Sequence, residues 1–206
     1  MNRNPLVLIL FLVSAPFMAG LALAAEPPTL TLGEPVERTL AGGESHEFRV
    51  ELEENQYLLL LVDERGIDVV VRFYGPDGEH LNAWGELQTV SEESLSFFSK
   101  VQGDYMIEIV PSDEQAEPGD YAVEIVRLET AGRTPSSKID QLMALVDRRD
   151  SPGASVAVIR DGEIIYKKGF GSAQLEYEIP ITPSTIFHVA SVSKQFTAFA
   201  VAMLAD

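Results

Sequence analysis

Gly103-Asp104-Tyr105-Met106-Ile107-Glu108-Ile109-Val110 opens on a Gly-Asp turn and runs on with Tyr105, Ile107 and Ile109 on one side. The same plan returns at Gly119-Asp120-Tyr121-Ala122-Val123-Glu124-Ile125-Val126. A period of two places every second side chain on one face of a pleated strand, and glycine ahead of it frees the backbone to turn. Working outward, further runs with strand character lie at His46–Leu52, Tyr57–Val62, Ile67–Tyr74 and Leu95–Lys100. Gly75-Pro76-Asp77-Gly78 separates two of them as a turn, with Pro presetting one dihedral. About eight strands in about 100 residues, with no helical period among them, predict a β-sandwich or jelly roll over residues 26–130.

Gly33-Glu34-Pro35-Val36, Asp68-Val69-Val70-Val71, Gly75-Pro76-Asp77-Gly78 and Gly103-Asp104-Tyr105 together resemble the pre-peptidase C-terminal-like β-sandwich family. The resemblance implies an accessory domain of a secreted enzyme, with no particular ligand. Pairs such as Glu53-Glu54, Asp63-Glu64 and Asp113-Glu114 lack the fixed spacing of an oxygen-ligand loop, so they read as solvated loops. His46 and His80 read as strand or surface residues. Neither a metal nor a cofactor is expected.

Charge divides the chain. Residues 26–132 hold 24 acidic and 6 basic side chains, whereas residues 133–206 hold 8 of each. The shift falls at a polar stretch, so residues 131–136 are expected to be a linker. An overall charge of -17 repels phosphate backbones and excludes nucleic acid as a partner. The chain has no cysteine, which excludes disulfide frameworks, thiolate nucleophiles and Cys-ligated zinc.

At the N-terminus, Arg3 precedes an uncharged apolar run from Leu6 to Ala25 that closes on Ala22-Leu23-Ala24-Ala25. The small-residue end, with Pro16 and Gly20 inside the run, predicts a cleaved signal peptide over 1–25 rather than a retained anchor. The mature chain is expected to be exported, to the periplasm or beyond, with no stable membrane span.

The second region, 137–206, carries the chemistry. Ser136-Ser137-Lys138-Ile139-Asp140 predicts the start of a helix running to about Arg149. Ala154–Arg160 and Glu163–Phe170 predict a hairpin closed by Asp161-Gly162, a two-residue turn signal. From Ser191 the pattern becomes apolar on nearly all sides through Leu204, which predicts a buried helix. Ser191-Val192-Ser193-Lys194 at its start is an S-x-x-K motif. Three residues of spacing bring the Lys194 amine toward the Ser191 hydroxyl, and burial would favour the neutral amine that can take the serine proton. His188, in the approach to this helix, reads as a packing residue. No Gly-x-Ser-x-Gly elbow, Walker loop or HExxH occurs.

Pro152-Gly153-Ala154, Asp161-Gly162, Gly169-Phe170-Gly171, Pro180-Ile181-Thr182-Pro183 with Thr185-Ile186-Phe187, and Ala190–Thr197 stand in order. Together they resemble the N-terminal part of the serine β-lactamase and penicillin-binding-protein superfamily, in its class C-like and esterase branch. The resemblance implies an α/β hydrolytic domain in which Ser191 is acylated, Lys194 is its proton partner and the Ser191 N–H serves the oxyanion. Substrates would be acyl compounds: β-lactams, D-Ala peptides or esters. Two further family motifs, Tyr-x-Asn/Ser and Lys/His-x-Gly, have no counterpart after Lys194. The expectation is therefore a fragment of an exported serine hydrolase, with little activity of its own. The alternative is a non-enzymatic secreted sandwich that binds a ligand and trails a vestigial hydrolase segment.

Overall fold

The structure is a computed structural model and describes residues 26–84 and 92–204. The signal-peptide expectation for 1–25 lies outside the described residues. Eight strands make two four-stranded antiparallel sheets. One has the order β1(Val36–Leu40), β8(Gly119–Thr130), β3(Gln56–Glu64), β6(Glu92–Phe98); the other runs β2(His46–Leu52), β7(Gly103–Pro111), β4(Val69–Tyr74), β5(His80–Trp84). This is the sandwich that the alternating runs predicted.

Strands of both sheets turn their apolar sides to the same interior. Tyr105, Ile107 and Ile109 of β7 meet Tyr121, Val123 and Ile125 of β8 in one core, with Phe48, Val50, Leu58, Leu60, Val71 and Phe73. Phe73 packs edge-on against Phe97 at 4.9 Å between ring centroids and stacks on Tyr105 at 5.4 Å. Across one side of the sandwich, His46 Nδ1 and the Tyr121 hydroxyl are 2.8 Å apart. Burial raises the Tyr121 hydroxyl far above the usual phenol range and lowers His46 below the usual imidazole range. Both groups are thus held neutral, and which of them donates depends on the imidazole tautomer.

Several boundaries differ from expectation. β4 begins at Val69, because Ile67 and Asp68 belong to the turn that precedes it. β6 spans Glu92–Phe98, and Lys100 lies beyond it. β1 and β5 are edge strands whose polar residues hide the alternation.

The region after the sandwich is built from smaller pieces. Helix α1 covers Pro135–Leu142, capped by Thr134, whose hydroxyl accepts from the Ser137 N–H in a reciprocal capping box. The helix ends well short of Arg149. Past Met143 the chain continues as turns, with the Asp147 N–H donating to Met143 O at 3.0 Å. These turns deliver the Arg149 carbonyl to the Ser172 hydroxyl, which donates to it at 2.6 Å.

The hairpin forms as its turn signal predicted: β9(Ala154–Arg160) pairs with β10(Glu163–Phe170), Arg160 opposite Glu163. Asp161 and Gly162 both have positive φ, 51° and 82°, the pattern of a turn whose twist matches the flanking strands. Short strands β11(Ser172–Gln174) and β12(Ile179–Pro180) follow the hairpin and pair with each other. Helix α2 covers Lys194–Met203. None of its residues is buried, contrary to the buried helix its apolar pattern predicted. No described element packs over its apolar side chains. No helix among the described residues is long and apolar enough to cross a membrane.

Candidate functional site

The approach to Ser191 starts at the end of β10. Phe170 is buried, and after Gly171 the chain returns so that the Ile181 N–H donates to the Gly171 carbonyl at 2.9 Å. Ile181 is buried there, which ties the following segment to the hairpin. Next, the Thr182 N–H donates to the Thr185 hydroxyl oxygen at 2.9 Å, and the Thr185 N–H donates to the Thr182 carbonyl at 3.1 Å. This closes a tight turn in the Thr-Pro-Ser-Thr sequence. Ile186 and Phe187 beyond it are exposed.

Ser191 lies in a 3₁₀ turn, Ala190–Ser193, directly ahead of α2. The expected helix thus begins three residues later than the motif suggested. Lys194 is the first residue of α2, and its N–H donates to the Ser191 carbonyl. In a 3₁₀ turn, residues three apart eclipse one another, so Ser191 and Lys194 emerge on the same side of the backbone. Ala190, immediately before Ser191, has φ 42°, a left-handed conformation that costs an L-residue roughly 1–2 kcal/mol. Such strain just ahead of the serine sharpens the corner on which it sits. Four-residue pattern reading carries no signal for it.

The side chains stand open. Ser191 and Lys194 are both exposed, as are His188 and every other residue from Ile186 to Leu204. Among the described residues no hydrogen bond joins the Ser191 hydroxyl to the Lys194 amine. The burial expected to favour a neutral Lys194 amine is therefore absent, and the nearby Phe196, Phe199 and Val201 are themselves exposed. His188 does not serve as a packing residue, for the same reason. The arrangement supplies a hydroxyl and an amine one turn apart on a strained corner, surrounded by apolar surface.

Among the described residues no cluster of three or more His, Asp or Glu is placed to hold a metal ion. A cavity of about 360 Å³ lined by Pro76, Leu81, Phe97, Lys100, Val101 and Tyr105 belongs to the sandwich and contains no residue of the serine segment.

A family model described as Beta-lactamase matches residues 136–206. This segment is β-lactamase-like. Over 54 residues the chain is 50% identical to a D-aminopeptidase of Gluconobacter oxydans (strain 621H), covering 26% of this chain and 10% of that protein. It is 36% identical over 72 residues to the mitochondrial serine β-lactamase-like protein LACTB of Homo sapiens, covering 35% of this chain and 13% of that one. The chain thus spans about a tenth of the length of the curated relatives it matches. Among solved structures, the pre-peptidase C-terminal domain of a collagenase from Bacillus anthracis is similar at a TM-score of 0.40 and 14% identity. That match covers 48% of this chain and 94% of the collagenase domain. The β-lactamase-like segment holds α1, the hairpin and α2, so the S-x-x-K corner falls within it.

The left-handed backbone at Ala190 has no signal in the sequence.

Proposed function

We propose that the chain carries the nucleophile-bearing part of an exported serine hydrolase, with Ser191 acylated and Lys194 as its proton partner. The observation that carries this reading is the S-x-x-K corner lying inside a β-lactamase-like segment. In the proposed step a neutral Lys194 amine takes the Ser191 proton while Oγ bonds to the substrate's acyl carbon. The carbonyl electron pair moves onto its oxygen, for which the Ser191 N–H is one donor. Collapse expels the leaving nitrogen or oxygen, which takes the proton back from Lys194. Water then releases the acyl group through the same two residues. The acyl donor belongs to the class of β-lactams, D-Ala-type peptides or esters.

A neutral amine at Lys194 requires water to be kept from it. The exposed Phe196, Phe199, Val201 and Met203 beside it are the kind of surface that such cover would bury. With the pair open and unbonded, acylation of this chain as it stands is proposed to be slow. Export is supported by the apolar run Leu6–Ala25 and its small-residue end. The division into an acidic region 26–130 and a serine-bearing region 137–206 is supported by the charge shift.

A second reading rests on the same openness: the sandwich is the working part, and the exposed Ser191–Lys194 pair is vestigial. Fluorophosphonate or labelled penicillin separates the two. Slow adduct formation on Ser191, lost in Ser191→Ala, supports the hydrolase; no adduct at Ser191 under forcing concentrations supports the vestige.

A further inference from the structure

The first half of strand β3, Tyr57–Leu60, is buried on both faces. Leu58 and Leu60 point into the sandwich core, while Tyr57 and Leu59, on the opposite face by alternation, are 0% and 1% exposed. A sheet face turned to water would leave those two open, so the outside of this sheet has a cover. Helix α1 forms part of that cover. The Tyr57 hydroxyl donates to the Gln141 carbonyl at 3.1 Å, and the Lys138 ammonium sits 5.1 Å over the Phe98 ring.

The Gln141 carboxamide is fully committed to the end of β8 and the residues after it. Its Nε2 donates to Glu129 Oε1 and to the Thr130 carbonyl, both at 3.0 Å, and its Oε1 accepts from the Gly132 N–H at 2.7 Å. The expected linker is thus fastened down. Ala131 is buried and its N–H donates to the Asn55 carbonyl at 2.7 Å. A side chain on Gly132 would collide with Ser137.

The neighbouring residue of the same helix faces another partner. Asp140 accepts from the Tyr166 hydroxyl and from the Lys168 amine, both at 2.9 Å and both on β10. Lys168 also lies 3.5 Å from Asp147 and 4.5 Å over the Phe170 ring. Consecutive helical residues diverge by about 100° around the axis, so one short helix can grip two bodies.

We infer that α1 is a two-sided strut, and that the sandwich serves the serine-bearing segment by holding the hairpin through it. The sandwich is a buttress rather than a tethered module. Its hold extends past the hairpin, because Phe170 and Gly171 anchor Ile181 on the way to Ser191. This inference stands apart from the hydrolase reading, since it requires nothing of Ser191 or Lys194.

Hydrogen–deuterium exchange on this chain, followed by mass spectrometry, tests it. Gln141→Ala should speed exchange of the β9 and β10 amides about tenfold, with β4 and β7 unchanged, because it removes the three side-chain hydrogen bonds that fasten the helix to the end of β8 and to Gly132. Tyr57→Phe, which removes one oxygen and keeps the ring, should produce a smaller rise in the same amides and carries the test if the first variant does not fold. Arg72→Ala, on the far sheet, should leave the hairpin as it was. The inference is overturned if hairpin amides are unprotected in the parent chain, or if both interface variants leave them unchanged. It is also overturned if Arg72→Ala speeds them equally.

Discussion

At the scale of single residues, Ser191 and Lys194 share one turn of backbone entered through the positive-φ Ala190. If Ser191 is the nucleophile, Ser191→Ala in a polypeptide with turnover should lower it by about 10³-fold or more, because the nucleophile is irreplaceable within its unit. Steady-state hydrolysis of a chromogenic ester or β-lactam measures this. The His46–Tyr121 pair makes a separate prediction. Burial, the largest influence, lowers His46; Arg38 works in the same direction and Glu44 opposes both. A group whose folded value is depressed binds its proton more readily in the unfolded chain. Stability is therefore fully present above the ordinary imidazole value of 6.5 and declines as pH falls from there through the lower folded value. Urea midpoints recorded from pH 7.5 down to 5 should fall in the parent, and His46→Gln should flatten that slope. An equal slope in both would remove His46 from the explanation. The motif was legible from the sequence because it needs only residue types and spacing. The strain at Ala190 was not, since nothing in an alanine's identity announces a left-handed backbone.

At the scale of elements, the strands that the sequence marked most clearly are those with apolar residues on one side and a turn signal at the entry, β7 and β8. The edge strand β1, Val-Glu-Arg-Thr-Leu, offers only two apolar residues and stayed unmarked. Helix α1 ends at Leu142 rather than near Arg149, because tertiary hydrogen bonds from Gln141 and Ser172 shape that segment more than local propensity does. Helix α2 shows the converse. An all-round apolar pattern reports the surroundings a helix is suited to, and these residues do not provide them. The β9–β10 turn can be tested directly. Gly162→Val forces a β-branched residue to φ near 82°, which should destabilise the hairpin by about 1–2 kcal/mol. Faster amide exchange confined to β9 and β10 is the expected outcome, and unchanged exchange there would contradict the turn assignment.

At the scale of the whole molecule, an acidic sandwich with a closed core is joined to a charge-balanced segment whose last helix is open. Phe196 and Phe199, each about two-thirds exposed, should drive self-association. The double variant Phe196→Glu with Phe199→Glu should shift sedimentation toward monomer and leave the sandwich's unfolding midpoint in place. A lowered midpoint would show that α2 packs where no packing is described. The β-lactamase-like character of residues 136–206 was legible because its motifs are local. The docking of α1 was not, because it depends on partners far apart in sequence, Tyr57 with Gln141 and Asp140 with Lys168. The most direct measurement concerns Ser191 itself. A polypeptide in which residues 137–206 are joined to the further Tyr and Lys/His-x-Gly groups of a β-lactamase-family domain is treated with labelled penicillin or fluorophosphonate, and the adduct is located by peptide mass spectrometry. An adduct on the peptide containing Ser191, absent from Ser191→Ala and greatly slowed in Lys194→Met, is the predicted result; an adduct on another residue, or labelling that survives Ser191→Ala, would contradict it.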